Sequence, residues 1–464
     1  MALRQNDNHT ERMEFMPKVA PAFIAIVTLM GLLTGCATSN QGNGNQISPT
    51  TSATKNTAVS QPTPPPQFPA QWISYGNSHG NNGVYNVEND HYSWSAPMGN
   101  VAHGGVSVAN GVVYVGSNDN AVYAFRAKDG KLLWKQTAFD NPVMTEPLVY
   151  DGLVFVGSGG NNYASSSIRG TGKNVIAALD AKTGKIVWQI PTQGENMPSF
   201  DLYNGVLYAI GGDRTLRAIN PKTGKVEWTL DVNGVASMAS INVKNNVLYA
   251  DLGDPYQSIA VNLKTHQIIY DNTSSYTTTQ MGLDDAPVSV GSGLVFTQWG
   301  KIINASTQDY QETVTALSDK TGKEVWSFTE PNGLKATPEE YEAAAPVYSG
   351  GIVYFGSPFV QKLYAVNAAN GKEIWETNLK GSANQAPVVL KHDIIIGGAG
   401  GNLYVVNKQS GKLVGTYQLP SGEIFTNGAP VVVNNVIYEP VGNPKTKTGS
   451  IDAIPLTSIT GFQP

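Results

Sequence analysis

One pattern returns along this chain often enough to decide its fold: an apolar strand carrying an Ala, then an Asp or Asn, a Thr-Gly-Lys turn, and a Trp. Full copies end at Trp134, Trp188, Trp228, Trp326 and Trp375, weaker copies end at Tyr270 and Tyr417, and Trp94 stands one period ahead of the first. Successive anchors from Trp94 to Tyr417 are spaced by 40, 54, 40, 42, 56, 49 and 42 residues. Repeats of this period stack so that each unit buries its face against the next, and a single unit is too small to fold alone. Segments such as Val112–Ser117 and Ile352–Ser357 alternate with the period of a half-buried strand. The glycines of the turn (Gly130, Gly184, Gly224, Gly322, Gly371, Gly411) allow the positive φ that a tight hairpin requires.

A further strand opens most units, read at Ala286, Ala345, Ala386 and Ala429, each followed by Pro-Val. Seven units follow Trp94, and an eighth begins at Ala429 and ends before any Trp strand. The stretch around residues 91–96 supplies that missing outer strand, so pairing of the two chain ends closes a ring and leaves few sheet edges. The sequence therefore predicts an all-β, eight-bladed β-propeller of four-stranded antiparallel blades over residues 70–464. The fourth copy departs from the pattern, with His266 in place of Gly and Tyr270 in place of Trp, and reads as a looser blade.

Ahead of the repeats, Val19 to Leu33 forms a 15-residue apolar run preceded by Lys18 and followed by Thr34, Gly35 and Cys36. That is short of the roughly 20 residues that span a bilayer and has the layout of a secretory signal. The run Leu33-Thr34-Gly35-Cys36 resembles a bacterial lipobox, which assigns residues 1–35 to a lipoprotein signal peptide and Cys36 to lipid attachment. Residues 36–69, rich in Ser, Thr, Asn, Gln and Pro with Lys55 as the sole charge, bury too little apolar surface to order and read as a tether. Such a chain lies outside the cytoplasm, held to a membrane by its N-terminal lipid.

Composition removes several classes of function. A net charge of −5 without a Lys/Arg stripe gives no electrostatic footprint for nucleic acid. One cysteine, Cys36, excludes an intrachain disulfide, a CxxC metal knuckle and a CxxCH haem site. The histidines after the leader (His79, His91, His103, His266, His392) have no metal-ligand spacing and read as scattered. No metal site and no Ser-His-acid arrangement is expected.

Asp284 and Asp285, in the loop entering the fifth inner strand, are the candidate ligand contacts near the funnel mouth, since adjacent carboxylates can supply oxygen ligands or move protons. Glu339, Glu340 and Glu342 read as an exposed acidic cluster, and residues 397–401 as a Gly-rich hairpin turn with no helix after it to cradle phosphate. Trp94, Trp134, Trp188, Trp228, Tyr270, Trp326, Trp375 and Tyr417 are assigned to blade docking.

The Ala–Asp–Thr-Gly–Trp repeat resembles that of the pyrroloquinoline-quinone (PQQ) repeat family over about residues 70–456. The resemblance implies fold first, because the motif is structural. One branch of the family comprises the quinoprotein dehydrogenases, which hold PQQ with calcium in the funnel. Another is similar to the BamB-type lipoprotein of the outer-membrane β-barrel assembly machine, with eight blades and no cofactor. A single cysteine, compact blades and a lipobox favour the second branch. The expectation is a monomeric, non-catalytic scaffold with a protein partner in the cell envelope, at the outer membrane where the organism has one. A PQQ-dependent dehydrogenase and a surface glycan- or ligand-binding module stand as alternatives.

Overall fold

The computed structural model describes residues 92–462 except 166, 254, 274–279, 282–286, 305–308, 332–333, 336–344, 399, 427 and 444. Cys36, the signal and tether segments, Asp284, Asp285 and the Glu339–Glu342 cluster lie outside the described residues.

Eight antiparallel blades form a ring, each built outward from an inner strand. The inner strands are Val106–Ala109, Leu148–Tyr150, Asp201–Tyr203, Asn242–Lys244, Ser289–Gly291, Val347–Ser349, Val388–Val389 and Val431–Val433, numbered here as blades 1 to 8. Side chains tie neighbouring inner strands together: Asp201 Oδ2 accepts from Val243 N at 2.7 Å, Lys244 Nζ donates to Val290 O at 2.9 Å, and Tyr348 N donates to Ser289 Oγ at 3.2 Å. The ring closes as the sequence predicts. Trp94–Met98 forms the outer strand of blade 8 and pairs with Thr448–Pro455, Trp94 opposite Ala453.

The repeat's Ala and Trp are cross-strand partners. Ala124 faces Trp134, Ala178 faces Trp188, Ala218 faces Trp228, Ala260 faces Tyr270, Ala316 faces Trp326 and Ala365 faces Trp375. A bulge follows that Ala in each of these blades, and bulges bend a strand and sharpen its twist. The ring then leans over the turn of the next blade, where a Cβ on Gly184, Gly224 or Gly371 would lie within 2.7 Å of the Trp134, Trp188 or Trp326 ring. Indole N–H groups complete the seam by donating to carbonyls of the following blade: Trp94 to Ala127 O (2.8 Å), Trp134 to Ala181 O (3.0 Å), Trp188 to Pro221 O (2.9 Å), Trp326 to Ala368 O (2.9 Å) and Trp375 to Lys408 O (3.1 Å).

Three seams differ from the rest, one of them by Tyr270 in place of Trp. His266, at the turn position that is Gly elsewhere, takes φ 57° and stacks its imidazole on Trp228, centroids 4.2 Å apart at 20°. Here the Trp meets a stacked ring where the other blades offer it a bare glycine. In blade 7 it is Gly415, not Tyr417, that stands opposite the repeat position, paired with Val405. The chain end explains it: Thr460 bridges to Thr416, and its carbonyl lies where a side chain on residue 415 would go.

Blade 2 carries an extra hairpin, Tyr163–Ser165 with Ile168–Arg169, where the sequence shows a run of Ser and Asn. Blade 5 lengthens its middle strands to Leu294–Asn304 and Asp309–Ser318. The Gly-rich segment at 397–401 joins the paired strands Asp393–Gly398 and Asn402–Asn407 as a turn.

Candidate functional site

Strand direction gives the propeller two unlike faces. One is formed by the Thr-Gly-Lys turns and by the turns between inner and second strands. The other gathers the loops running from each outer strand to the next inner strand, together with the turns between second and third strands. Buried acidic side chains collect toward this second face. Blade-end loops are where a rigid propeller can vary its chemistry.

Asp251, near the upper end of Val247–Gly253 in blade 4, is fully buried and accepts from the hydroxyls of Ser258 and, across the seam, Thr297 of blade 5. Burial pushes its pKa up to about 7, the two hydroxyls only partly offsetting it. In blade 5, Glu330 Oε1 accepts from the backbone N–H of Glu312 at 2.9 Å. Burial drives Glu312 well above the usual carboxylate range and the Glu330 charge adds to this, while Gln298 opposes it. Burial likewise raises Glu330 to about 7 against the pull of the Glu312 N–H, Ser357 and Lys362. In blade 8, Glu439 is 0% exposed and its Oε1 accepts from Gln385 Nε2 at 2.5 Å, the same amide donating to Thr426 O at 2.6 Å. Burial lifts Glu439 well above its ordinary value, and the charges of Glu146 and Asp452 push the same way.

Other acids on this face are ion-paired. Arg169, on the extra hairpin, meets the buried Glu195 at 2.7 Å, and backbone bonds from Glu195 N to Arg169 O and from Gly212 N to Glu195 O (both 2.8 Å) fasten hairpin to ring. Arg217 pairs with Asp213, whose Oδ1 lies 3.0 Å from the guanidinium. Burial acts to raise Asp213, but the Arg217 hydrogen bonds and charge leave its pKa below the usual value.

His103 lies in the loop entering the inner strand of blade 1. Its neighbours are locked against other loops of the ring: a Cβ on Gly104 would meet Met144 O at 2.3 Å, one on Gly105 the Glu146 carboxylate at 2.4 Å, and one on Gly428 the backbone of Gly105 at 2.7 Å. The loops of blades 1, 2 and 8 therefore converge at Gly104 and Gly105, next to His103 in the chain. Its side chain is exposed, yet desolvation lowers its pKa. Such a group stays neutral to lower pH than an ordinary His and can take a proton.

Of the residues assigned to chemistry from sequence, Asp284 and Asp285 lie outside the described residues. They precede the inner strand of blade 5, the blade that carries Glu312 and Glu330. His103 and the buried carboxyls escaped the sequence reading. The two adjacent glycines after His103 were the available signal, since they mark a close backbone approach. Among the described residues no three of His, Cys, Asp and Glu are gathered as a metal ion requires.

Comparison with known proteins places this architecture. The chain is 27% identical over 387 residues to tetrathionate hydrolase of Acidithiobacillus ferrooxidans, covering 77% of this chain and 73% of that one. It is 22% identical over 338 residues to outer membrane protein assembly factor BamB of Shewanella oneidensis, covering 72% and 67%. Quinohemoprotein alcohol dehydrogenase of Comamonas testosteroni superposes with a TM-score of 0.60 at 14% identity, covering 85% of this chain and 81% of that one, a likeness of fold alone. The model of one repeat family matches residues 80–169, 164–307 and 310–452. With most of its length matched in this way and eight closed blades built on the repeat, the chain belongs to the PQQ-repeat family described as outer membrane protein assembly factor BamB.

Proposed function

We propose that this chain is an extracytoplasmic hydrolase of a sulfur oxyanion of the tetrathionate class, held to a membrane through Cys36 and working at the face where the loops of blades 1, 2 and 8 converge. The observation that carries the reading is the exposed imidazole of His103, next to the glycines where the loops of blades 1, 2 and 8 meet. In hydrolysis of the central S–S bond the water oxygen bonds to one sulfur as a base takes its proton, the S–S bonding pair leaves with thiosulfate, and the other half departs as the sulfenic acid HO–S–SO3−. A neutral imidazole supplies that base. Support for the substrate class comes from the tetrathionate hydrolase relative, aligned over 77% of this chain.

Assay of the purified chain with tetrathionate between about pH 3 and 7 tests the proposal. Release of thiosulfate, saturable in tetrathionate, is the expected result, and absence of turnover across that range overturns it.

A scaffold in envelope protein assembly is the second reading. Outer strands expose Leu132, Leu133, Val187, Ile269, Val325 and Ile374, aliphatic side chains that recur from blade to blade on the rim. Cross-linking in cells that recovers an envelope protein through that rim would favour this reading. PQQ with calcium fits the described residues less well, because the cofactor needs carboxylates open to the funnel. Glu146, Glu312, Glu330 and Glu439 are only 3%, 1%, 1% and 0% exposed.

A further inference from the structure

The ring is assembled from eight seams, and two of them bury a carboxyl where the described neighbours offer no cation. At the seam of blades 4 and 5, Asp251 of one sheet meets Thr297 of the next, with Ser258 on its own sheet. Only hydroxyls face it, and its side chain is 0% exposed. At the seam of blades 7 and 8, Glu439 receives a single N–H, from Gln385, and its Oε2 has no donor at all. Among the described residues the charges that act on Glu439 are the carboxyls of Glu146 and Asp452, both of the wrong sign. An ionised carboxylate in either place would be buried without compensation, at a cost of several kcal/mol. A neutral acid fits both, its proton on the unsatisfied Oε2 of Glu439 or shared between Asp251 and one of its two hydroxyl neighbours.

We infer that these seams are held by carboxylic acids in their protonated form, so that the propeller is locked shut in an acidic medium and loosens as the medium turns neutral to alkaline. The inference concerns the ring and does not rest on the hydrolase reading. The sign follows from linkage. A carboxyl whose folded-state pKa lies above its unfolded value gives its full stabilisation below the unfolded pKa, near 4, and loses it as pH rises through the folded value. For Asp251 that loss runs up to about pH 7. Glu439 is shifted in the same direction by burial and by Glu146 and Asp452, and Glu330 adds to the trend. The acids whose pKa falls on ion pairing, such as Asp213, oppose it, but they are paired with arginine and lose their contribution only below the usual carboxylate range.

Melting of the full chain against pH tests the inference, with Asp251→Asn and Glu439→Gln as neutral mimics of the protonated acids. The wild type should melt about 5–10 °C lower near pH 8.5 than near pH 4.5. Each variant should show a flatter profile, close to wild type in acid and above it at pH 8.5. A wild-type profile that is flat or rises with pH overturns the inference, as do variants that keep the wild-type slope. Should a variant fail to fold, hydrogen exchange of the wild type decides. Faster opening of Val247–Gly253 and Val436–Asn443 at the higher pH, corrected for intrinsic exchange, supports the lock, and equal opening rejects it.

Discussion

Replacing His103 by Gln lowers the turnover of tetrathionate by about 100- to 10,000-fold, the range that removal of a positioned general base produces. The melting temperature should move little, because the side chain is exposed and no packing is lost with it. The effect should fall on kcat, with KM changed by no more than about three-fold, since the imidazole acts on the attacking water and only weakly on the bound anion. The acid limb of the wild-type pH profile should lie below the ordinary His value of 6.5, because desolvation lowers the pKa of His103. Added imidazole should partly restore a His103→Gly variant, which a merely structural role would not allow. An unchanged kcat would remove His103 from the chemistry.

The ring was readable from the sequence because its information is local and repeated. Each Trp lies opposite an Ala ten residues earlier in five of the blades, and the same geometry recurs with the same letters. Closure was readable for a related reason: an orphan Trp94 at the start and a blade lacking its outer strand at the end can satisfy each other. The copies that bent the pattern were harder. Gly415 takes the repeat position of blade 7, four residues after Gly411 as Trp375 is four after Gly371, and the pull of the nearby Tyr417 hid that spacing. His266 reads as a defect until the ring of Trp228 is placed beneath it.

The site was much less legible. Asp251, Glu312, Glu330 and Glu439 share no motif, and each becomes unusual only through burial by residues from other sheets. An acid in a strand of alternating pattern looks like an outward-facing residue until the neighbouring blade covers it. The same holds for His103, whose environment is made by loops more than forty and three hundred residues away in sequence, around Met144 and Gly428.

Trp326→Ala should destabilise the propeller by about 3–5 kcal/mol, the cost of truncating a buried Trp. The side chain is 8% exposed, packs at 6.0 Å from Phe296, and donates its indole N–H to Ala368 O at 2.9 Å. Its removal leaves both a void at the seam of blades 5 and 6 and a carbonyl without its donor. The ring also sits on Gly371, which has φ 67°, and a Cβ there would come within 2.5 Å of the Trp326 ring. Gly371→Ala is therefore costly on its own, through both the clash and the left-handed backbone. The two changes should not add. With the indole gone, the methyl introduced by Gly371→Ala enters the space it left, so the double variant loses less than the sum of the singles by about 1–2 kcal/mol, the coupling expected of residues in direct contact. Chemical denaturation of the four proteins measures that coupling. Strict additivity would mean that Trp326 and Gly371 are not neighbours in solution, and the seam geometry that the repeat imposes on the other blades would fall with it.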